Sequence, residues 1–205
     1  MGVIYHTASS GEGPVKLFVG GLHGREGDYT APILEELALS AENDVFSELS
    51  IIVPRITRSS RYMHVLSEAY YQSIEGQQLL HFIEKYKPSF YCELHAYGKE
   101  SYFMLVNPER EKQQGVPPFV DLEDGVLLGS IAPILRRRFG RNDLCITIEI
   151  PNWKTDEVRE MVLELLRIVL GGKTKKDTIE ALRRIYPRQI EIARSLFHRY
   201  LQSGQ

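Results

Sequence analysis

The stretch Val15-Lys-Leu-Phe-Val-Gly-Gly-Leu-His-Gly-Arg-Glu-Gly27 sets the reading of the whole chain. Residues 15–19 form a short apolar run that reads as a buried strand, stopped by the turn signal Gly20-Gly21. A glycine-rich bend follows, carrying His23 and Glu26 three residues apart. Asp28 is placed to cap a helix whose apolar positions Ala31, Leu34, Leu37 and Ala38 recur at helical spacing. Residues 49–53 then read as a second strand, closed by Pro54. A strand, a helix and a strand in that order are the unit of a parallel sheet.

The pattern repeats outward from there. Residues 3–7 read as a strand ahead of the first, and residues 74–86 as an amphipathic helix ended by Pro88. Residues 90–94 form a strand that runs into His95. Residues 102–106 read as a further strand, residues 109–124 as a long surface loop, and residues 126–139 as a helix with a basic end. The β-branched run 144–150 reads as a central strand, followed by a helix from Thr155 or Asp156 through Leu170. Gly171-Gly172 marks a hinge, and residues 177–201 are helical in pattern with a break at Pro187. The expectation is an α/β three-layer sandwich around a mostly parallel mixed sheet. Residues 1–172 form its catalytic domain, and residues 173–205 a C-terminal helical segment packed on it.

Composition narrows the function. The 205 residues carry a formal net charge of −2, with 43% hydrophobic and 25% charged side chains. Without a basic excess, neither nucleic acid nor an anionic membrane surface is an expected partner. No apolar run approaches the roughly 18 residues of a membrane span, and residues 1–11 lack the features of a signal peptide, so a cytoplasmic protein is expected. Cys92 and Cys145 each lie in a strand-like run and read as reduced core residues. A homo-oligomer is compatible with the sequence.

In a parallel sheet, ligand sites form beyond the carboxyl ends of the strands. His23, Glu26, Arg55, His95 and Glu149 all fall at or just past such an end. A catalytic zinc takes three protein ligands, usually His and Asp/Glu, and keeps one position open. His23 and Glu26 supply two, with His95 as the best third and His64 as its rival.

At this point the sequence resembles a known group. Gly20-Gly-Leu-His-Gly-Arg-Glu-Gly27, Glu93-Leu-His95 and Ile146-Thr-Ile-Glu-Ile150 resemble, in order, segments of the zinc carboxypeptidase superfamily. The likeness is closest to its succinylglutamate desuccinylase/aspartoacylase branch. The resemblance implies that His23, Glu26 and His95 bind zinc and that Glu149 is the catalytic general base. The chemistry of a proton-shuttling carboxylate at the end of an apolar strand agrees with that role. Arg55, Arg58 and Arg61 lie where the family places its substrate-binding arginines. The family's Asn-Pro segment is absent there, so the three are not assigned one to one.

Each feature has a plainer reading as well. The glycine-rich bend is a poor phosphate cradle, since it lacks the lysine of that motif. Glu93 is either a carboxylate orienting His95 or a solvated one. The three arginines also fit a solvated basic loop, Glu149 a structural ion-pair partner, and His81 a core packing role. The expected activity is a zinc hydrolase acting on an amide bond of a small N-acyl amino acid or carboxylate-bearing peptide. A non-catalytic metal- or anion-binding domain is the alternative.

Overall fold

A computed structural model of the chain describes residues 5–8, 13–43 and 49–203. The first part of the expected strand at 3–7 lies outside them. In chain order the elements are β1 (His6–Ala8), β2 (Lys16–Gly20), α1 (Gly27–Asn43), β3 (Ser50–Val53), α2 (Glu68–Gln72), α3 (Ile74–Tyr86) and β4 (Phe90–Tyr97). Then come α4 (Tyr102–Leu105), α5 (Arg110–Gln114), β5 (Val120–Glu123), β6 (Val126–Gly129), α6 (Pro133–Arg136) and β7 (Leu144–Pro151). Three long helices close the chain: α7 (Thr155–Gly171), α8 (Lys175–Ile185) and α9 (Pro187–Ser203).

The strands form one sheet in the order β1-β3-β2-β4-β7-β6-β5. The four central strands are mutually parallel; β1 at one edge and β6 at the other run against them, and β5 turns back along β6 to lie outermost. Strand alternation divides the buried side chains between two faces. Phe18, Cys92, Leu94 and Ile148 face one core with α1 and α7, and Leu182, Tyr186 and Ile190 of the C-terminal helices join it. Leu17, Val19 and Tyr91 face a second core with α2, α3 and α6. The result is the expected α/β sandwich of helix, sheet and helix layers.

The connections create a crevice. From β2 the chain crosses by α1 to β3; it then returns by α2 and α3, on the other face, to β4 on the far side of β2. Strand order therefore reverses at the β2/β4 pair, where such sheets hold their ligands.

Three local expectations are overturned. Residues 102–106 form the short helix α4, with the Val106 N–H bonded to the Tyr102 carbonyl at 3.1 Å. A short apolar run has no period long enough to separate strand from helix. Residues 109–124 hold α5 and β5 rather than an open loop. Residues 126–139 are the strand β6 followed by α6, because β6 finds ladder partners on both sides. The signal was the Asp124-Gly125 pair, whose φ values of 55° and 82° make the tight turn of a two-residue hairpin.

The α2–α3 corner also holds the site. A Cβ on Gly76 would lie 2.0 Å from the Tyr70 carbonyl oxygen and 2.6 Å from the Tyr71 Cα, both backbone atoms that cannot yield. Gly76→Ala is therefore expected to destabilise the protein by about 1–3 kcal/mol, read by denaturant unfolding. Unchanged stability would show that the corner is more pliant than its packing indicates.

Candidate active site

The glycine-rich bend is pinned from several sides. The Ile56 and Thr57 N–H groups donate to the carbonyls of Gly20 and Gly21 at 3.0 and 2.8 Å, and the Gly24 N–H donates to the Arg61 carbonyl at 3.1 Å. The Tyr70 hydroxyl donates to the Leu22 carbonyl at 3.1 Å. Gly21 and Gly24 have φ values of 57° and 55°, a left-handed conformation that a side chain would strain. These contacts fix a bend whose two N–H groups, from Leu22 and His23, hold Glu26 Oε1 at 2.6 and 3.1 Å. Oε2 is left for the imidazoles: His95 Nδ1 stands 3.0 Å from it and His23 Nδ1 3.6 Å.

These residues come from two adjoining parts of the sheet. His23 and Glu26 lie beyond β2, and His95 lies near the carboxyl end of β4. One ligand atom from each lies within 4.8 Å of the others, the sole such cluster of three among the described residues. Zinc bonds of about 2 Å place tetrahedral ligand atoms roughly 3.3 Å apart. The separations of 3.0 and 3.6 Å from Glu26 Oε2 lie close to that value, and two nitrogens with one carboxylate oxygen are a donor set zinc accepts.

Glu93 is buried at 2% exposure. Its carboxylate accepts from the Tyr91 hydroxyl at 2.8 Å and the Thr147 hydroxyl at 3.1 Å, and stands 3.4 Å from His95 Nε2. His95 is thus held at both ring nitrogens, by Glu26 and by Glu93. Burial opposes protonation of His95, but Glu26, Glu93 and Glu149 outweigh it and raise the ring's pKa well above its usual value. At His23 the balance reverses: burial, helped by His95 and His64, outweighs the pull of Glu26 and Glu93 and lowers its pKa to about 4, leaving a neutral ring. The Glu26 carboxyl is held below its ordinary range: burial works against the charge, and His95, His23 and the His23 N–H prevail.

Glu149 is the register partner of His95 on β7, so both side chains stand on the same face. Burial pushes its carboxyl up to about 7, against the pull of His95 and Arg110. His23, His95 and Glu149 line one cavity of about 280 Å³.

The arginines foreseen as substrate ligands lie elsewhere. Arg55 donates to Asp28 at 3.0 Å and packs on the bend, where a Cβ on Gly27 would meet its Nε at 2.8 Å. Arg55 and Arg58 line a different cavity, with Glu35 and Glu75. Arg61 supports the bend through its backbone. His64 lines the Glu149 cavity but stands outside the ligand cluster, its Nδ1 accepting the Leu66 N–H at 3.2 Å. His81 is solvent-exposed rather than packed in the core.

Sequence reasoning missed Arg110. It is 7% exposed, lines the Glu149 cavity, donates to the Pro117 carbonyl at 2.6 Å and stacks its guanidinium 4.8 Å from the Phe119 ring centre. Burial lowers its pKa to about 10, partly offset by Glu149. Its signal in the sequence was weak: a single arginine in a polar stretch, flanked by apolar Val106, Val116 and Phe119.

Comparison with known proteins bears on the same elements. A family model described as "Uncharacterized protein conserved in archaea (DUF2119)" matches residues 11–202. The uncharacterized protein MJ0501 of Methanocaldococcus jannaschii is 44% identical over 190 residues, 93% of each chain. Among solved structures, an aspartoacylase family protein from Mesorhizobium loti matches at a TM-score of 0.51 and 15% identity, covering 84% of this chain and 62% of its own. The murein-tripeptide amidase MpaA of Escherichia coli O157 matches at 0.50 and 14%, covering 84% of this chain and 88% of its own. The fold is thus similar to zinc-carboxypeptidase-like structures. No helix among the described residues is long and apolar enough to cross a membrane.

Proposed function

We propose, for a chain that belongs to the archaeal DUF2119 family, that it is a zinc-dependent hydrolase cleaving an amide bond of a small N-acyl amino acid or carboxylate-bearing peptide. The observation that carries the reading is the convergence of His23, Glu26 and His95 beside a partly buried Glu149 at the β2/β4 crevice. The names of the structural neighbours, an aspartoacylase family protein and an amidase, support the same class of reaction.

His23 Nδ1, Glu26 Oε2 and His95 Nδ1 would hold the ion. When bound, zinc lowers the pKa of a water toward about 7 and polarises a carbonyl oxygen. Glu26 is kept in place by two backbone N–H groups, and Glu93 orients the His95 ring through Nε2. Glu149 takes the proton of the attacking water on its carboxylate and returns it to the amide nitrogen as the C–N bond breaks. A carboxyl near pH 7 in affinity suits both halves of that transfer. The cavity of about 280 Å³ admits a compact substrate rather than a folded polypeptide.

The test is metal content and turnover together. The purified protein is expected to hold one equivalent of zinc by elemental analysis. It is also expected to cleave at least one member of a panel of N-acyl amino acids and short peptides, and to lose that activity to a chelator and regain it with zinc. A protein that takes up no zinc would sink the reading. Stoichiometric zinc with no turnover across the panel would favour a metal-binding domain instead.

A further inference from the structure

We propose that Arg110 and Gln114 together recognise the substrate's head group, an α-carboxylate with an N–H on the adjacent α-nitrogen: Arg110 takes the carboxylate and the Gln114 side-chain oxygen accepts the N–H. The proposal rests on the amide-hydrolase reading of the same cavity and adds which residues choose the substrate and what they demand of it.

Two polar atoms of this cavity wall have unmet hydrogen bonds. Buried polar atoms almost always have a partner. Arg110 Nε and Gln114 Oε1 are both buried and have none. The residues stand four apart on α5, so their side chains leave the helix on one side, and both line the cavity that holds His95 and Glu149. Two contacts hold the arginine in place: Nη1 is bonded to the Pro117 carbonyl and the guanidinium face is stacked on Phe119. A held cationic donor and an unpaired neutral acceptor therefore line the same cavity, four residues apart on one helix.

That pairing is selective. A carboxylate alone would satisfy Arg110 but set its other oxygen against the Gln114 oxygen. An amine alone would satisfy Gln114 and be repelled by Arg110. An internal trans peptide points its C=O and N–H in opposite directions and fits only one of the two. An α-carboxylate next to an N–H presents both groups on one side, a few ångström apart. When that nitrogen is the scissile one, the same contact presents the leaving group to the cavity that contains Glu149. The cationic partner also suits an anion on electrostatic grounds, because a buried guanidinium binds a carboxylate more strongly than one in water does.

The experiment is calorimetric binding to the zinc-loaded protein carrying Glu149→Gln, so that ligands are not consumed. The probes are N-acetyl-L-amino acids covering the twenty side chains, their C-terminal primary amides, and the N-methyl analogue of the best binder. The acid is expected to bind about 10- to 100-fold more tightly than its primary amide, and the N-methyl analogue about 10-fold more weakly than the parent. Added to that background, Arg110→Gln is expected to erase the acid preference. Gln114→Leu, which leaves the arginine in place, should erase only the N-methyl penalty. Zinc stoichiometry should change in neither, which separates failure here from failure of the hydrolase reading. Equal binding of acid and amide, no binding across the panel, or a preference that survives Arg110→Gln would each overturn the proposal. Should Arg110→Gln not fold, an N-methyl penalty that persists in Gln114→Leu does so alone.

Discussion

Glu149→Gln is expected to retain one equivalent of zinc and to lose turnover by about 10²- to 10⁴-fold, the range that a positioned proton-transfer group contributes. The amide keeps the volume of the carboxyl and cannot take a proton from water. Fold and metal site should survive, because Glu149 is not among the three clustered ligands. Retained turnover would remove Glu149 from the chemistry. The same substitution is expected to stabilise the metal-free protein at alkaline pH. Burial raises the Glu149 pKa from 4.5 to about 7, so the folded state binds this proton more tightly than the unfolded chain does. For an acid shifted upward, stability is greatest below about 4.5, falls as pH rises from there to about 7, and stays reduced above. The shift corresponds to roughly 3–4 kcal/mol. Glu149→Gln should therefore melt roughly 7–14 °C above wild type at pH 8, with the difference gone near pH 4. Equal melting at pH 8 would mean that the carboxyl is better solvated than its position implies.

Glu26→Ala is expected to abolish stoichiometric zinc binding, a larger loss than the roughly 10- to 100-fold that removal of an outer carboxylate costs. Glu93→Gln sets that smaller scale, since Glu93 touches the cluster only through His95. Glu26 contributes more than one contact. Its Oε1 caps the bend at the Leu22 and His23 N–H groups, and its Oε2 faces both rings. Losing it should free the bend as well as remove a ligand. Zinc uptake should also be proton-linked. In the metal-free site His95 is held protonated by its carboxylate neighbours, so binding at Nδ1 must release a proton, and affinity falls as pH drops. Calorimetry in buffers of different ionisation enthalpy reads that proton directly. Zinc bound by Glu26→Ala as tightly as by wild type would dismiss the cluster as the metal site.

Much of this architecture was legible in the sequence, for a physical reason. The central strands and α1, α3 and α7 are long enough to show their period, and the metal-ligand candidates sit beside strand ends that glycine and proline punctuate. His23 and Glu26 are neighbours in one bend, while His95 and Glu149 announce themselves at the ends of apolar runs. Residues 99–129 were illegible because they form pieces of three to five residues. Neither a strand of four nor a helix of five completes enough periods to declare itself. Arg110 was lost for that reason. No periodicity marks it as buried; its burial comes from the Phe119 ring and the Pro117 carbonyl, in a loop that bonds back to the Leu105 carbonyl through the Phe119 N–H. The three arginines after β3 drew attention as a cluster, yet Arg55 is taken up by Asp28 and by the bend itself.

The pairing of His95 with Glu149 across β4 and β7 has a consequence for how such a chain can change in length. Alternation along β4 turns Tyr91, Glu93 and His95 to one face and Cys92 and Leu94 to the other. One residue inserted or deleted within this strand would exchange the two sets. The imidazole would enter the hydrocarbon of α1 and α7, and a leucine would take its place opposite Glu149. Insertions between residues 98 and 119 instead alter one wall of the cavity and leave the strand alternation intact. Lineages of this protein should therefore differ in length in that wall and hold the count from Phe90 to Tyr97 constant.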